Sequence, residues 1–207
     1  MAASDFAVTK FKASLQHGGA RPSLFKVEFQ YPNGITTPPI KASFLVKATT
    51  IPASTIGSYD VFYHGKAIHV ACDRTFDTWD TTIFNDEDFG IRHTLESWMN
   101  SISNHKLNTR NKRIFDNMSE GDAAPYKSTL KVKQFSKAGK LLRTYSFIGA
   151  WPSALSTINL DWATASELEE FTCTWVYDSW TIGDFAGFRG NESLFSSEDF
   201  ISDEDFG

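Results

Sequence analysis

The sequence predicts a mainly β protein, folded as an antiparallel β-sandwich or barrel with one flanking α-helix. Several segments alternate apolar and polar residues with the two-residue period of a strand, and turn sequences rich in Gly, Pro and Asn separate them. Aromatic residues, which favour strands, make up 14% of the 207 residues. Only one segment repeats its apolar residues at helical spacing. Many strands with a single helix are typical of a sandwich or barrel that packs its helix at one end.

The strands are predicted from this alternation, taken along the chain. Phe25, Val27 and Phe29 alternate with polar residues before the turn sequence Tyr31-Pro32-Asn33-Gly34. The same pattern predicts strands at 41–48, at 61–63 and 68–70 around His64-Gly65-Lys66, at 79–84, at 127–135 and 140–148 around Lys137-Ala138-Gly139, and at 168–180. In the last of these, one face carries four residues that we expect to be buried: Phe171, Cys173, Trp175 and Tyr177.

One amphipathic helix is predicted within residues 85–103. Ile91, Leu95, Trp98 and Ile102 recur at helical spacing. Asn85 is the expected N-cap, because acidic residues follow it in the first turn.

The charge divides the chain into two parts. Residues 184–207 contain seven of the 25 acidic residues and one of the 20 basic residues, so 18 acidic and 19 basic residues remain in the body. We therefore predict a β-sandwich domain at 1–182 and an acidic, Phe-rich extension at 183–207. Neither part has the basic face that a nucleic-acid clamp needs.

The sequence gives little support to catalysis, metal binding or membrane insertion. Asp-Phe-Gly occurs at 88–90 and 205–207, but the other kinase motifs do not accompany it. His64, His69, Cys72 and Asp73 lie close in sequence, yet a hairpin turn would place them on different faces or strands. The two cysteines form no close pair, and residues 1–16 contain no apolar run typical of a signal peptide. We expect no enzymatic activity, no metal, no cofactor and no contact with a membrane.

Clusters of Trp, Asp and Arg remain without a chemical explanation. They suit buried salt bridges and hydrogen-bonded corners, and they suit contacts between subunits equally well. The residues concerned are Asp73, Arg74, Asp77, Trp79, Trp151, Asp161 and Trp162.

These clusters belong to an ordered set of motifs over residues 20–180 that resembles the tail tube proteins of contractile-tailed bacteriophages, the myoviruses. The motifs are Ala20-Arg21-Pro22-Ser23-Leu24-Phe25-Lys26-Val27, Lys47-Ala48-Thr49-Thr50-Ile51-Pro52, Asp73-Arg74-Thr75-Phe76-Asp77 with Trp79, Asn85-Asp86-Glu87, Gly149-Ala150-Trp151-Pro152, Leu160-Asp161-Trp162, Glu169-Glu170-Phe171 and Tyr177-Asp178-Ser179-Trp180. Each motif alone is weak, but their order is specific. The long, basic segment at 104–125 and the extension after Trp180 depart from the family pattern.

The resemblance implies a structural virion protein with a fold like the tube protein of type VI secretion. Six copies would form a ring, and stacked rings would form the inner tail tube through which the tape measure protein and the genomic DNA pass during ejection. The implied partners are further copies of the chain, the tail sheath protein, and the baseplate and tail terminator proteins. Its location would be the virion, and the host cytoplasm during assembly.

Three alternatives stay open from the sequence. The chain would otherwise be a tube-initiating baseplate protein or the tube of another contractile injection system. Outside that class, a monomeric β-sandwich that binds glycans through its tryptophans would fit the composition, and an enzyme with its site hidden in irregular loops is a third choice.

Two segments are expected to make contacts during assembly. Residues 49–60 are long for a hairpin connection and carry Ile51, Pro52 and Ile56, which we place between stacked rings. The extension is expected to order only on the tube, with its aromatics in grooves of a neighbouring subunit or facing the sheath: Phe185, Phe188, Phe195 and Phe200. Its acids would stay solvated or meet the basic residues Lys106, Arg110, Lys112 and Arg113.

Overall fold

A computed structural model describes residues 8–15, 19–32, 35, 42–43, 45–111, 125–164 and 167–183. The helices are α1 (Val8–Ser14) and α2 (Gly90–Ile102). The strands are β1 (Phe25–Phe29), β2 (Val46–Thr49), β3 (Thr55–Tyr63), β4 (Lys66–Thr75), β5 (Trp79–Phe84), β6 (Ser128–Phe135), β7 (Leu141–Leu155), β8 (Glu170–Val176) and β9 (Ser179–Gly183). The proposed docking residues of the extension lie outside the described residues, as do Lys112 and Arg113.

The main sheet is antiparallel and folds over on itself. Its strand order is β1-β6-β7-β8-β5-β2, and β9 continues beyond β8 along the same side of β7. Strands β1 and β8 are three strand spacings apart, which is about 14 Å in a flat sheet. Nevertheless, the rings of Phe29 on β1 and Trp175 on β8 stack with their centroids 5.6 Å apart. The sheet must therefore curve until its two halves face each other, which confirms the predicted sandwich or barrel.

A chain of aromatic rings fills the space between the two halves. Trp175 contacts Trp79 and Trp98 at centroid distances of 6.2 and 5.7 Å, and Trp79 stacks on Phe147 at 4.2 Å. The three tryptophans and Phe147 are at most 1% exposed. A buried aromatic residue removes 150–250 Å² from water, so each contributes on the order of 4–6 kcal/mol of gross burial energy. The four residues predicted on one face of the last strand are all buried.

The helix α2 closes the open side of the core. Its buried side chains include Ile91, Leu95 and Trp98, as the helical spacing predicted. The predicted N-cap is wrong. Residues 86–89 form a turn instead, and the helix starts at Gly90 after Phe89 adopts a left-handed conformation. Asn85 uses its side chain to donate a hydrogen bond to Glu169.

Several strand boundaries also differ from the predictions. The segment at 168–180 is divided into β8 and β9 by Tyr177 and Asp178. The motif at 149–152 lies within β7 rather than after a strand, since Trp151 pairs with Val176. The helix α1 was not predicted.

The break between β8 and β9 and the motif at 149–152 meet at one corner of the sheet, where Gly149 faces Asp178. Gly149 has a φ of 69°, and a Cβ at this position would lie 2.0 Å from Oδ2 of Asp178. Asp178 donates its backbone N–H to the carbonyl of Ile148 and accepts hydrogen bonds from Lys127 Nζ at 2.7 and 2.8 Å. The corner thus has no room for any side chain at position 149.

Replacing Gly149 with Ala should therefore destabilise the subunit by about 2 kcal/mol or more, because left-handed backbone costs an L-residue about 1–2 kcal/mol and the Asp178 carboxylate must also move. Urea denaturation of dissociated subunits measures this. Gly139→Ala is the matched control, since Gly139 has a φ of 75° with no atom within 4 Å of the added Cβ. Equal destabilisation by the two variants would show that the contact with Asp178 is unimportant.

Candidate assembly surface

The hairpin formed by β3 and β4 stands apart from the core. The two strands form their own two-stranded sheet, from Thr55↔Thr75 to Tyr63↔Lys66. Eight of the nine residues of β3 are exposed, and only Gly57 is partly covered. A two-stranded hairpin is marginally stable by itself in water. Its length was underestimated from the sequence, which predicted strands only at 61–63 and 68–70.

One face of this hairpin is apolar. The strand period places Tyr59, Val61 and Tyr63 of β3 on the same side as Ile68 and Val70 of β4, because Tyr59 pairs with Val70 and Val61 with Ile68. The first four are 41–66% exposed. Soluble proteins rarely leave a contiguous apolar patch of this kind uncovered unless it binds a partner. We call this the apolar hairpin face.

The opposite face is more polar. Asp60 and His69 are cross-strand partners, and the His69 imidazole is hydrogen-bonded to the Asp60 carboxylate. The same side carries Phe62, which is 73% exposed, near the tip. His69 and Cys72 lie on opposite faces of β4, and His64 lies in the turn. Among the described residues, no three His, Cys, Asp or Glu side chains converge as metal ligands.

The segment that leads into the hairpin is exposed yet held in place. Two tryptophan side chains of the body donate hydrogen bonds to its backbone: Trp79 Nε1 to the carbonyl of Thr50 at 2.9 Å, and Trp180 Nε1 to that of Ala53 at 3.3 Å. Ile51 and Ile56 are 49% and 54% exposed, and Pro52 is half-buried. The residues that the sequence suggested as contacts between rings thus form a fixed, apolar lead into the hairpin.

The remaining predicted residues are distributed over the surface and the core. Asp73, Arg74 and Asp77 are exposed in the single subunit, on or just after β4. Trp79 is buried and Trp151 is half-buried. Arg21, Asp161 and Trp162 are exposed in loops. No helix of the described part of the chain is long and apolar enough to cross a membrane.

Comparison with known proteins identifies the family of the chain. A family model described as a phage tail tube protein matches residues 20–183. The chain belongs to the phage tail tube protein family. It is 32% identical to the tail tube protein gp19 of Enterobacteria phage T4 over 162 residues, which is 78% of this chain and 90% of that protein. The tail tube protein of Serratia phage KSP90 is 22% identical over 82% of this chain and 93% of its own length.

Solved structures share the tail tube fold at low sequence identity. A chain of the six-fold symmetrised anti-feeding prophage baseplate has a TM-score of 0.56 at 10% identity, covering 81% of this chain and 97% of its own. A chain of the anti-feeding prophage cap also has a TM-score of 0.56, at 14% identity, covering 88% and 99%. The role of this chain is therefore that of a structural tail tube protein.

Amide hydrogen exchange in dissociated tail tube subunits should distinguish the hairpin from the body. We expect the amides of β3 and β4 to exchange much faster than those of β5 and β8, because eight of the nine residues of β3 are exposed and a two-stranded hairpin opens locally. The control is β8, whose alternate residues are buried. Equal protection of hairpin and core would contradict this view.

Proposed function

We propose that six copies of this tail tube protein close into a ring and that rings stack into a hollow tube. The observation that carries the proposal is the apolar hairpin face, four of whose side chains are 41–66% exposed in the single subunit. A neighbouring copy is the partner that is always present during assembly. A contact between two different patches of identical subunits repeats head to tail, and it closes into a ring when the rotation allows.

The energy available to this contact is substantial. Burying a large apolar side chain completely contributes about 1.5–3 kcal/mol, and the four exposed side chains of the apolar hairpin face are about half exposed. Their burial would therefore contribute several kcal/mol per contact, and six such contacts act together in a ring. The same contact would order a hairpin that is marginal alone.

The segment that leads into the hairpin, and the hairpin face opposite to the apolar hairpin face, are available to a different neighbour. Ile56 lies on the face opposite to Tyr59, and Ile51 precedes it on the fixed segment. We assign Ile51, Pro52 and Ile56 to the contact between stacked rings, and the apolar hairpin face to the contact within a ring.

The outer face of β5, β8 and β2 suits the wall of the lumen. It carries cross-strand pairs of short polar side chains: Thr174 donates to Asp80 at 2.6 Å, and Thr82 lies 3.4 Å from Thr172. By contrast, the outer face of β1 and β6 has three lysines and one glutamate: Lys26, Glu28, Lys131 and Lys133. There, the Lys133 ammonium holds the pKa of Glu28 below its usual range. The face of β5, β8 and β2 also carries Lys47, but its ammonium is paired with Glu170, so DNA would slide past this face with little phosphate binding.

The wider role follows from this architecture. The tape measure protein and then the genome would pass through the lumen without sequence-specific binding, and the sheath would surround the tube. Baseplate and terminator proteins would contact its two ends. The chain would act in the virion after assembly in the host cytoplasm, with no catalytic step of its own.

A monomeric glycan-binding module is less well supported. Such a module would need tryptophans exposed on a binding face. Trp79, Trp98 and Trp175 are instead core residues, while Trp151 and Trp180 are half-buried. Trp162 alone of the six is fully exposed.

Negative-stain microscopy of the purified chain tests the proposal directly. We expect six-fold rings and tubes, and we expect slower amide exchange in β3 and β4 after assembly than before it. A strictly monomeric protein at high concentration, or particles that stop at a dimer, would refute the proposal.

Replacing Ile51 and Ile56 with Asp should leave folded subunits and rings but prevent long tubes, because two carboxylates would be buried between rings. Tube length by microscopy measures this. The matched control is Ala53→Asp with Ser54→Asp, at exposed positions of the same segment. Tubes of normal length from the isoleucine variant would place the contact between rings elsewhere.

A further inference from the structure

Two further surfaces combine exposed apolar side chains with charge of one sign, and they lie at opposite ends of α2. The first is the loop between β7 and β8, which we call the acidic loop. Leu160, Trp162 and Leu168 are 81%, 103% and 72% exposed there. The loop carries Asp161, Glu167 and Glu169, and the described residues between 156 and 170 include no base. Glu170, at the start of β8, is already paired with Lys47 of the same subunit.

The acidic loop is anchored to the start of α2. Arg92, in the first turn of the helix, donates to the carbonyl of Ser156 at 3.3 Å, and Asn85 donates to the carbonyl of Glu169 at 2.8 Å. Within the loop, the Asp161 carboxylate accepts a hydrogen bond from the Ala163 N–H at 2.9 Å. The exposed tryptophan therefore projects from a loop that is held at both ends.

The second surface follows the last residue of α2, and we call it the basic tip. Residues 103–111 include His105, Lys106 and Arg110 and no acid. The Asn104 side chain accepts hydrogen bonds from the N–H groups of Lys106 and Leu107 at 2.9 and 3.1 Å. Leu107 is 68% exposed at the centre of this turn. The tip thus presents one apolar side chain in a rigid, positively charged frame.

We propose that the acidic loop of one copy binds the basic tip of another copy, with Leu107 packed against Trp162. Within one subunit the two surfaces are separated by α2, whose 13 residues span about 20 Å. Between copies, opposite charge and exposed apolar groups make them complementary. Two different surfaces of identical copies pair head to tail, and such a contact continues into an open stack when the rotation between copies does not close a ring. This contact rests on the proposed tube and would add to its stacking.

Cross-linking tests the proposed neighbours. In a Cys72→Ser background, Leu107→Cys together with Trp162→Cys should give a ladder of covalent multimers when assembled tubes are treated with a short bismaleimide. Cys173 is fully buried and does not interfere. Each single variant should give no ladder, and neither should Leu107→Cys combined with Ala138→Cys in the exposed turn between β6 and β7. Normal tubes without a ladder would overturn this contact alone, whereas a wild-type chain that forms no rings would overturn the proposed tube as well.

Charge reversal provides a second test that does not depend on added cysteines. Lys106→Glu should raise the concentration needed for tube growth severalfold at low salt, since one exposed ion pair changes the binding constant of a contact by up to about fivefold. Adding Glu167→Lys should restore growth, and high salt should reduce the difference. The matched control is Lys137→Glu, at an exposed position away from both surfaces. Failure of the second reversal to restore growth would overturn the pairing.

The acidic extension at 184–207 is the competing occupant of the basic tip. A chain truncated after Gly183 separates the two. The effect of Lys106→Glu should persist in the truncated protein if the acidic loop is the partner. An effect that disappears on truncation would assign the tip to the extension and overturn the proposal.

Discussion

The fold depends on the burial of Trp175 between the two halves of one curved sheet. Its ring contacts Phe29, Trp79 and Trp98, so a single side chain joins β1, β5 and α2 to β8. The indole N–H is satisfied inside the core, where it donates to the Thr81 hydroxyl at 2.9 Å. A buried indole without that acceptor would cost about 1–3 kcal/mol. The curvature of the sheet and the position of α2 both enclose this ring.

The core of the body is already filled, so the apolar side chains outside it need a separate explanation. Because the core is filled by residues of the main sheet and α2, the hairpin has no interior to enter. Four side chains of its apolar face are 41–66% exposed in the single subunit, and in our proposal a neighbouring copy covers them. The same reasoning applies to Trp162 and Leu107, which project from loops that hydrogen bonds hold in place. The body thus supplies stability, while in the proposed tube the exposed surfaces would determine association.

The sequence predicted those parts of the molecule in which one face is buried. Phe171, Cys173 and Trp175 alternate, and Ile91, Leu95 and Trp98 recur at helical spacing, because a core selects apolar residues on one side only. The length of the hairpin was underestimated because a strand is predicted from alternating apolar and polar residues, which arise when one face is buried. Strand β3 is exposed on both faces. The start of α2 was misplaced because Asn85 does not cap the helix. Its side chain donates a hydrogen bond to Glu169, and residues 86–89 form a turn before the helix begins at Gly90. The assembly surface gave only weak local signals, and the ordered motifs of the family carried the functional prediction.

In the proposed ring, an exposed, apolar hairpin would have to associate with its own copies without aggregating. Exposed strands pair readily with any free edge, and proteins limit this with charges, bulges and short or twisted edges. Here the hairpin carries Lys66 at its tip and Arg74 at its base, and its register shifts between Ile56 and Ser58. Gly57 lies at this irregularity, where a Cβ would come within 3.3 Å of Cys72. The resulting bent hairpin accepts a partner of matching shape more readily than it accepts a flat strand. Specificity in the tube would thus come from a distorted edge as much as from the apolar side chains that drive association.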